Sequence, residues 1–400
     1  MTTLDFEHIV ENLIKSISKH SEISKNNKDL LLRMKRDFSL DGLSPAWQQN
    51  MLSRMKQMAI LADFNLDEAD EERLKDLIEK VQRRDISDRT VVNYKGALKR
   101  FYKWLNNGEY PDFVMWMKTT YNEKNNTLPE DLLTEKDIFE LIDAAKTTRD
   151  KAMIALLWET GARIGELIDL KVKDLRDYKH GFQVVISGKT GSRRLPLIAS
   201  VPYLNNWLNN HPSRAGDSYL WCKIREATGE DRITYRYIRK MLEKTKERAS
   251  IDKPVNPHHF RHSRATYLAN RFTEAQLCEW FGWVQGSNVP AKYVHMSGRD
   301  IDGAYARLHG IEDEEELVES KMIPKECPRC TEKVPANAVF CFRCGQALTI
   351  EGFKMVEDGE QKIDEKTSEL EDDVTRKFLE FVMEDEEIMK KFKKSINERG

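Results

Sequence analysis

Through the first hundred residues apolar positions return every three or four places, the period of helices that bury one face. The clearest run extends from Asp88 to Asn106, where Tyr94, Leu98, Phe101 and Leu105 form a core-facing stripe and Ser87 or Asp88 can cap the start. Lys95, Lys99 and Lys103 recur on another face with Arg100 beside them, a stripe that by itself reads as a solvated helix surface. Gly, two Pro and a polar run interrupt the pattern between 107 and 133 and mark a linker. A Thr cap and a new apolar face open a further helix from Thr134 to Ala145. Farther on, FQVVIS and RRLPLIA read as a strand pair joined by Gly188, Lys189, Thr190 and Gly191. A last helix, from about Ser368 to Ser395, sets Leu370, Val374, Phe378, Phe381, Ile388 and Phe392 near one side.

The pattern predicts a mainly α chain with a small β-sheet, an α+β fold. Its expected parts are a helical N-terminal domain (1–110), a linker (111–133), a main domain (134–310), an acidic connector (311–324), a cysteine module (325–348) and an acidic tail carrying an amphipathic helix (349–400). Four hundred residues with 40% hydrophobic content exceed one compact core, which fits two large domains and an appendage. No stretch approaches the roughly 20 apolar residues of a membrane span, and the start lacks the marks of a secretion signal. A cytoplasmic protein with no membrane partner is expected. The formal net charge of −2 hides an uneven spread: +1 for residues 1–127, +6 for 128–310 and −9 for 311–400. A mildly basic middle permits DNA binding without proving it.

Four of the six cysteines lie in CPRCTEKVPANAVFCFRC. Cys327, Cys330, Cys341 and Cys344 make two CxxC pairs, the spacing of a four-thiolate zinc ribbon, and one structural Zn2+ is expected there. Cys222 and Cys278 read as ordinary buried thiols. Elsewhere the candidate chemistry lies in four segments. ETGARIGELIDL puts Arg163 at a Gly-flanked turn into a helix, where an ion pair at the helix start is the plain alternative to a cleft-facing guanidinium. Lys189 sits at the tip of the strand pair, a place where lysine also serves solubility. NPHHFRHSRATYLA brings His258 and Arg261 onto one side of a helical turn. Three histidines and two arginines within seven residues are a poor packing solution, and the arginines oppose a metal cation. LCEWFGWVQGSNVPAKYVHM supplies Trp283 and, ten residues on, Tyr293, which alone would read as a core tyrosine.

Taken in order, these segments resemble the tyrosine recombinase (phage-integrase, Xer-like) family, whose signature is Arg, a hairpin Lys, His-x-x-Arg, His or Trp, then Tyr. Arg163 matches through TGARIGEL, Lys189 through ISGKTGSRRLPL, His258 and Arg261 through PHHFRHSRAT, Trp283 after FG, and Tyr293 through YVH. The resemblance spans roughly residues 5 to 310. YVHMSGRDIDGAYARLHG with a cysteine module behind it looks most like the archaeal branch. Trp283 departs from the commoner histidine, keeping an N–H donor but removing proton shuttling there. The resemblance implies a two-domain clamp on double-stranded DNA, a tetramer on recombining sites, a 3′-phosphotyrosyl intermediate on Tyr293, and no catalytic metal or nucleotide. It would make Lys95, Lys99, Lys103, Arg193 and Arg264 DNA contacts, and it allows for accessory proteins.

The chemistry agrees with such roles. Two guanidiniums suit a phosphodiester transition state, a positive surrounding favours phenolate, His258 can take or return its proton, and Lys189 suits the acid for a departing 5′-oxygen. Two rivals share the signature: a type IB topoisomerase-like relaxing enzyme, and a non-catalytic DNA-binding protein that has kept the fold. The acidic tail is further expected to pack on the basic middle and restrain it.

Overall fold

A computed structural model describes residues 6–120, 129–179, 181–188, 191–224, 231–296, 309, 320–384 and 390. The chain divides into two compact units, Met1–Leu128 and Pro129–Gly400. The first contains α1 (Phe6–Ser18), α2 (Lys25–Leu40), α3 (Pro45–Leu61), α4 (Glu71–Gln82) and α5 (Asp88–Leu105). Ser24, Ser44, Asp70 and Ser87 cap α2 to α5, each side chain accepting from a backbone N–H of the first turn. On α5, Leu98 and Phe101 are buried, with Tyr94 and Leu105 packed at the margin of the same core. That core continues past residue 110, because Val114 and Met117 are buried in it. Seven of the residues read as linker, 111–117, thus belong with the first unit's packing, tied in by apolar side chains that the Gly and Pro content obscured.

In the second unit α6 (Glu135–Ala144) starts at Thr134, whose side chain and that of Asp137 form a reciprocal capping box. Next come α7 (Thr148–Thr160), α8 (Ile164–Ile168) and an antiparallel sheet of β1 (Leu175–Tyr178), β2 (Gly181–Gly188) and β3 (Gly191–Leu197). The strand pair has the expected place, with Gly188 paired to Gly191 and Val185 to Arg194. β1 is an addition: four largely exposed residues, LRDY, with no alternation to reveal it. α9 (Val201–Asn209), α10 (Tyr235–Ala249), α11 (Pro257–Ala269), α12 (Glu274–Phe281) and α13 (Val289–Met296) complete the unit's helical body. α7 is buried on every side, Ala152 to Thr160 without a break, and forms the axis of the core. Each fully buried side chain of Leu or Phe size there contributes about 1.5–3 kcal/mol.

β4 (Lys325–Glu326) and β5 (Lys333–Val334) form a second small sheet in the cysteine module. The C-terminal helix runs Ile350–Glu384, starting eighteen residues before the apolar pattern suggested. Gly352 and Gly359 lie inside it, and helix-forming residues such as Lys354, Met355, Glu357, Glu360, Gln361 and Lys362 carry the extension. Ile388 and Phe392 lie outside the described residues. Among the described residues Ile350, Phe353, Val356, Ile363, Val374 and Phe381 are exposed, so this part of the tail is not seated on the basic middle as expected. Cys222 and Cys278 are buried thiols, each pushed up by burial. No helix among the described residues is long and apolar enough to cross a membrane.

Candidate active site and metal centre

The turn bearing Arg163 is made by α7 ending in Gly161, which takes a left-handed φ of 54°. Only glycine fits there: a Cβ would lie 2.6 Å from Phe281 Cε1 and 3.2 Å from Arg264 Cβ. The chain then re-enters helix at Arg163, the N-cap residue of α8. Glu166 organises this turn. Its buried carboxylate accepts from Arg163 N (3.1 Å), Arg163 Nη1 (3.0 Å) and Arg193 Nη2 (2.7 Å). Burial alone would raise its pKa, but the Arg193 and Arg163 guanidiniums hold the carboxyl below its ordinary value. The Arg163 side chain remains 46% exposed, so Glu166 holds the guanidinium through Nη1 while the rest of it faces outward.

The β2–β3 hairpin meets the same carboxylate: a Cβ on Gly188 would stand 2.5 Å from Glu166 Oε1. Lys189 lies outside the described residues, but its chain neighbour Gly188 abuts Glu166. Arg193, expected at DNA, is instead a strut. Its side chain is 8% exposed, paired with Glu166 and donating from Nε to Trp280 O at 2.9 Å. Arg264 is likewise committed to the interior, Nε on Glu159 O at 3.1 Å and the guanidinium over the Trp158 and Tyr267 rings. Both side chains turn inward, Arg193 to the Glu166 carboxylate and Trp280 O, and Arg264 to Glu159 O and the Trp158 and Tyr267 rings. On α5, Lys99 donates to Met117 O at 3.3 Å, and Lys99 and Lys103 both lie over the Tyr110 ring. Lys95 is half-buried.

α11 begins with Asn256 capping His258 N and His259 N, followed by Pro257 in the first turn. His258 is exposed, while Arg261 one turn on is buried. Arg261 donates to Gly161 O (3.0 Å) and Phe281 O (2.8 Å), tying the Arg163 turn to the end of α12. Burial first, and then the charge of Arg163, pull it down to about 10, so it stays cationic at neutral pH. Gly282, at φ 62°, ends α12 and turns the chain so that Trp283 folds back. Phe281, Trp283 and Tyr293 then stack, with centroids 4.7 Å and 5.2 Å apart and the last two rings 6° from parallel. The Arg261 guanidinium lies 5.4 Å from the Trp283 ring. Tyr293, on α13, is 7% exposed, and burial raises its phenol while Arg261 opposes the rise.

The tyrosine hydroxyl does not meet His258. It lies 2.9 Å from His262 Nδ1, and His262 Nε2 lies 2.9 Å from His258 Nε2. His262 and Glu166 are the two residues that sequence reasoning left without a role. His262 stood within the noted histidine cluster, and Glu166 three positions after Arg163 was visible only as the ion-pair partner of the plain alternative.

In the cysteine module all four Sγ atoms lie within 4.8 Å of one another. Cys327–Cys344 and Cys330–Cys341 are each 3.7 Å apart. Thiolates about 2.3 Å from a tetrahedral zinc stand about 3.8 Å from each other, so the four sulfurs suit such an ion. The module's own apolar core is small, Val334 and the buried Cys327 and Cys341 with a few half-buried neighbours. Asn205 on α9 donates to Glu332 (3.0 Å) and Asn337 to Asp143 (3.3 Å), docking the module on the helical body.

A mainly helical unit with a three-stranded sheet thus brings a histidine pair and a stacked tyrosine beside Arg261 and the turn that bears Arg163. Residues 131–299 match the phage integrase family. The chain is 29% identical over 242 residues to tyrosine recombinase XerC of Pelotomaculum thermopropionicum, covering 57% of this chain and 78% of that protein. It is 27% identical over 237 residues to tyrosine recombinase XerA of Pyrococcus furiosus, covering 58% and 79%. The structure of XerH site-specific recombinase bound to palindromic difH substrate, a post-cleavage complex, shares the fold with a TM-score of 0.54 at 18% identity, covering 76% and 96%. Residues 131–299 thus form a phage integrase domain, and the similarity to XerC and XerA supports a tyrosine-type site-specific recombinase.

Proposed function

We propose that this recombinase cleaves and rejoins duplex DNA at a specific site through a 3′-phosphotyrosyl intermediate on Tyr293. What supports the reading is a chain of contacts around Tyr293: its hydroxyl lies on His262 and through it on His258, its ring stacks on Trp283, and Arg261 lies over Trp283 and is tied to the turn that bears Arg163 through Gly161 O. Arg163 comes from α8, Arg261 and the histidines from α11, Trp283 from the turn after α12, and Tyr293 from α13. Arg163 and Arg261 hold the non-bridging phosphate oxygens and stabilise their charge in the transition state. Lys189 protonates the departing 5′-oxygen, His258 handles the nucleophile's proton, and Trp283 packs the tyrosine and offers an N–H to phosphate. The covalent phosphotyrosine retains the energy of the broken bond, so a second 5′-hydroxyl reverses the step without ATP or a catalytic metal.

Residues 1–110 act as the core-binding domain, with Lys95, Lys99 and Lys103 toward the DNA backbone, and 134–310 as the catalytic domain. Recombination proceeds in a tetramer on two sites in the cytoplasm, as the family resemblance implies. One structural Zn2+ is held by Cys327, Cys330, Cys341 and Cys344.

The test presents nicked duplexes of random sequence, whose cleavage traps the enzyme, and resolves products on a denaturing gel. Wild-type chain forms adducts enriched in one sequence, while Tyr293→Phe binds DNA equally and forms none. Adducts in the variant exclude Tyr293 as nucleophile, and unselective adducts with plasmid relaxation place the enzyme among the topoisomerases.

A further inference from the structure

The contacts of Tyr293 single out a histidine outside the motif that marks the family here. Its hydroxyl lies on His262 Nδ1, and the other nitrogen of that ring lies on His258 Nε2. The His258 and His262 rings meet edge to face with centroids 4.3 Å apart, and His258 alone of the three groups is exposed. Three groups in a row share protons in only a few ways. If the phenol keeps its proton and donates it, His262 accepts at Nδ1, carries its own proton on Nε2 and donates that to His258, whose proton is then on Nδ1. One alternative is the reversed neutral tautomer, with His258 donating to His262 Nε2 and His262 donating from Nδ1 to the phenol oxygen, which the test below distinguishes; the other is an imidazolium at His262. Of the groups facing it, His258, His259 and Arg261 along α11 and Lys292 on α13 disfavour the imidazolium, while the Tyr293 hydroxyl meets Nδ1. Burial first and these neighbours next pull His262 down to about 4, leaving a neutral ring that can accept.

We infer that His262 is the immediate proton acceptor of Tyr293 and that His258 is the outlet passing the proton toward solvent, an assignment resting on Tyr293 as the nucleophile. In the cleavage step the phenolic O–H breaks as its oxygen bonds to phosphorus, and the P–O5′ bond breaks with its electron pair going to the leaving oxygen. The phenolic proton goes to His262 Nδ1 while the Nε2 proton of His262 passes to His258 Nε2. His262 ends as the neutral Nδ1–H tautomer and His258 as the imidazolium. Rejoining runs the chain backward, returning the proton to the tyrosine as the phosphotyrosyl bond breaks. The low basicity of His262 suits a relay, since a ring that holds a proton weakly passes it on.

The test uses full-length protein on the duplex recovered from the trapping selection. His262→Asn keeps an oxygen near the position of Nδ1 but cannot relay a proton. At neutral pH its single-turnover adduct formation should fall roughly 100-fold or more with DNA affinity unchanged, and the deficit should shrink about tenfold per pH unit as the phenol ionises into solvent. A wild-type rate, or a loss constant across pH, would overturn the assignment. Should the variant fold poorly, 15N spectra of the histidines in wild-type protein decide the matter: Nε2–H, Nδ1-accepting His262 at neutral pH supports the relay, and an imidazolium or Nδ1–H form sinks it. Tyr293→Phe is run alongside. Adducts in that variant refute the nucleophile, whereas none there together with normal His262→Asn refutes the relay alone.

Discussion

At the scale of single residues the site depends on one carboxylate. Glu166 receives three hydrogen bonds, two from Arg163 and one from Arg193, whose side chain is almost sealed from solvent. Removing one partner of such a buried pair leaves the other charge uncompensated, which costs roughly 3 kcal/mol. Glu166→Gln should therefore lower the melting temperature and, by loosening Arg163, slow adduct formation. The sign with pH follows from a folded pKa held below the ordinary 4.5. The carboxylate's contribution is complete above that value and is lost as pH falls through the lower folded one. The stability gap between wild type and variant, measured by denaturant titration, should be full at neutral pH and close in acid. A gap that stays constant down to pH values below the folded pKa would remove the ion pair from the account.

The same residues show what the chain made legible and what it did not. Arg163, Arg261 and Tyr293 were legible because guanidinium, imidazole and phenol in that order point to phosphate chemistry, and local rules set their turns: a left-handed glycine at 161, an Asn cap at 256. Arg193 and Arg264 misled because an arginine at the surface and one folded inward have the same letter. Arg193 is turned inward by Glu166 and Trp280 O, and Arg264 by Trp158 and Tyr267, neighbours that only tertiary packing supplies. His262 escaped for a related cause: its significance is a contact between α11 and α13, 31 positions apart in sequence.

At the scale of elements the cysteine module is a part that its four sulfurs, rather than its own core, would have to hold. Two short strands and a few half-buried side chains cannot offset the entropy of ordering such a segment. Zinc bound by the four sulfurs would supply most of its folding free energy. Metal analysis of purified protein should find close to one zinc per chain, and Cys341→Ser should bring it near zero. In hydrogen exchange, protection should collapse across 325–348 while α7 keeps its own, since α7 lies in a separate apolar core. Stoichiometric iron in place of zinc, or protection of the module unchanged in the serine variant, would defeat this assignment.

For the whole molecule the decisive quantity is the distribution of charge, not its total. Residues 351–400 carry a formal charge of −6, so the chain without them changes from −2 to +4. Ile350, Phe353, Val356, Ile363, Val374 and Phe381 of the C-terminal helix are exposed, so an effect of the tail on DNA binding is expected through its field rather than through contact. An anionic segment tethered to a DNA-binding protein repels the phosphate backbone and competes for the same cations, and both effects fade as salt shortens the Debye length. Truncation after Ile350 should therefore tighten binding to nonspecific duplex several-fold at about 50 mM salt and have little effect at about 300 mM. Fluorescence anisotropy across that range measures both affinities. Equal affinities at low salt would show that the tail's charge never reaches the DNA, whereas a difference persisting at high salt would point to direct packing of the tail on the binding face.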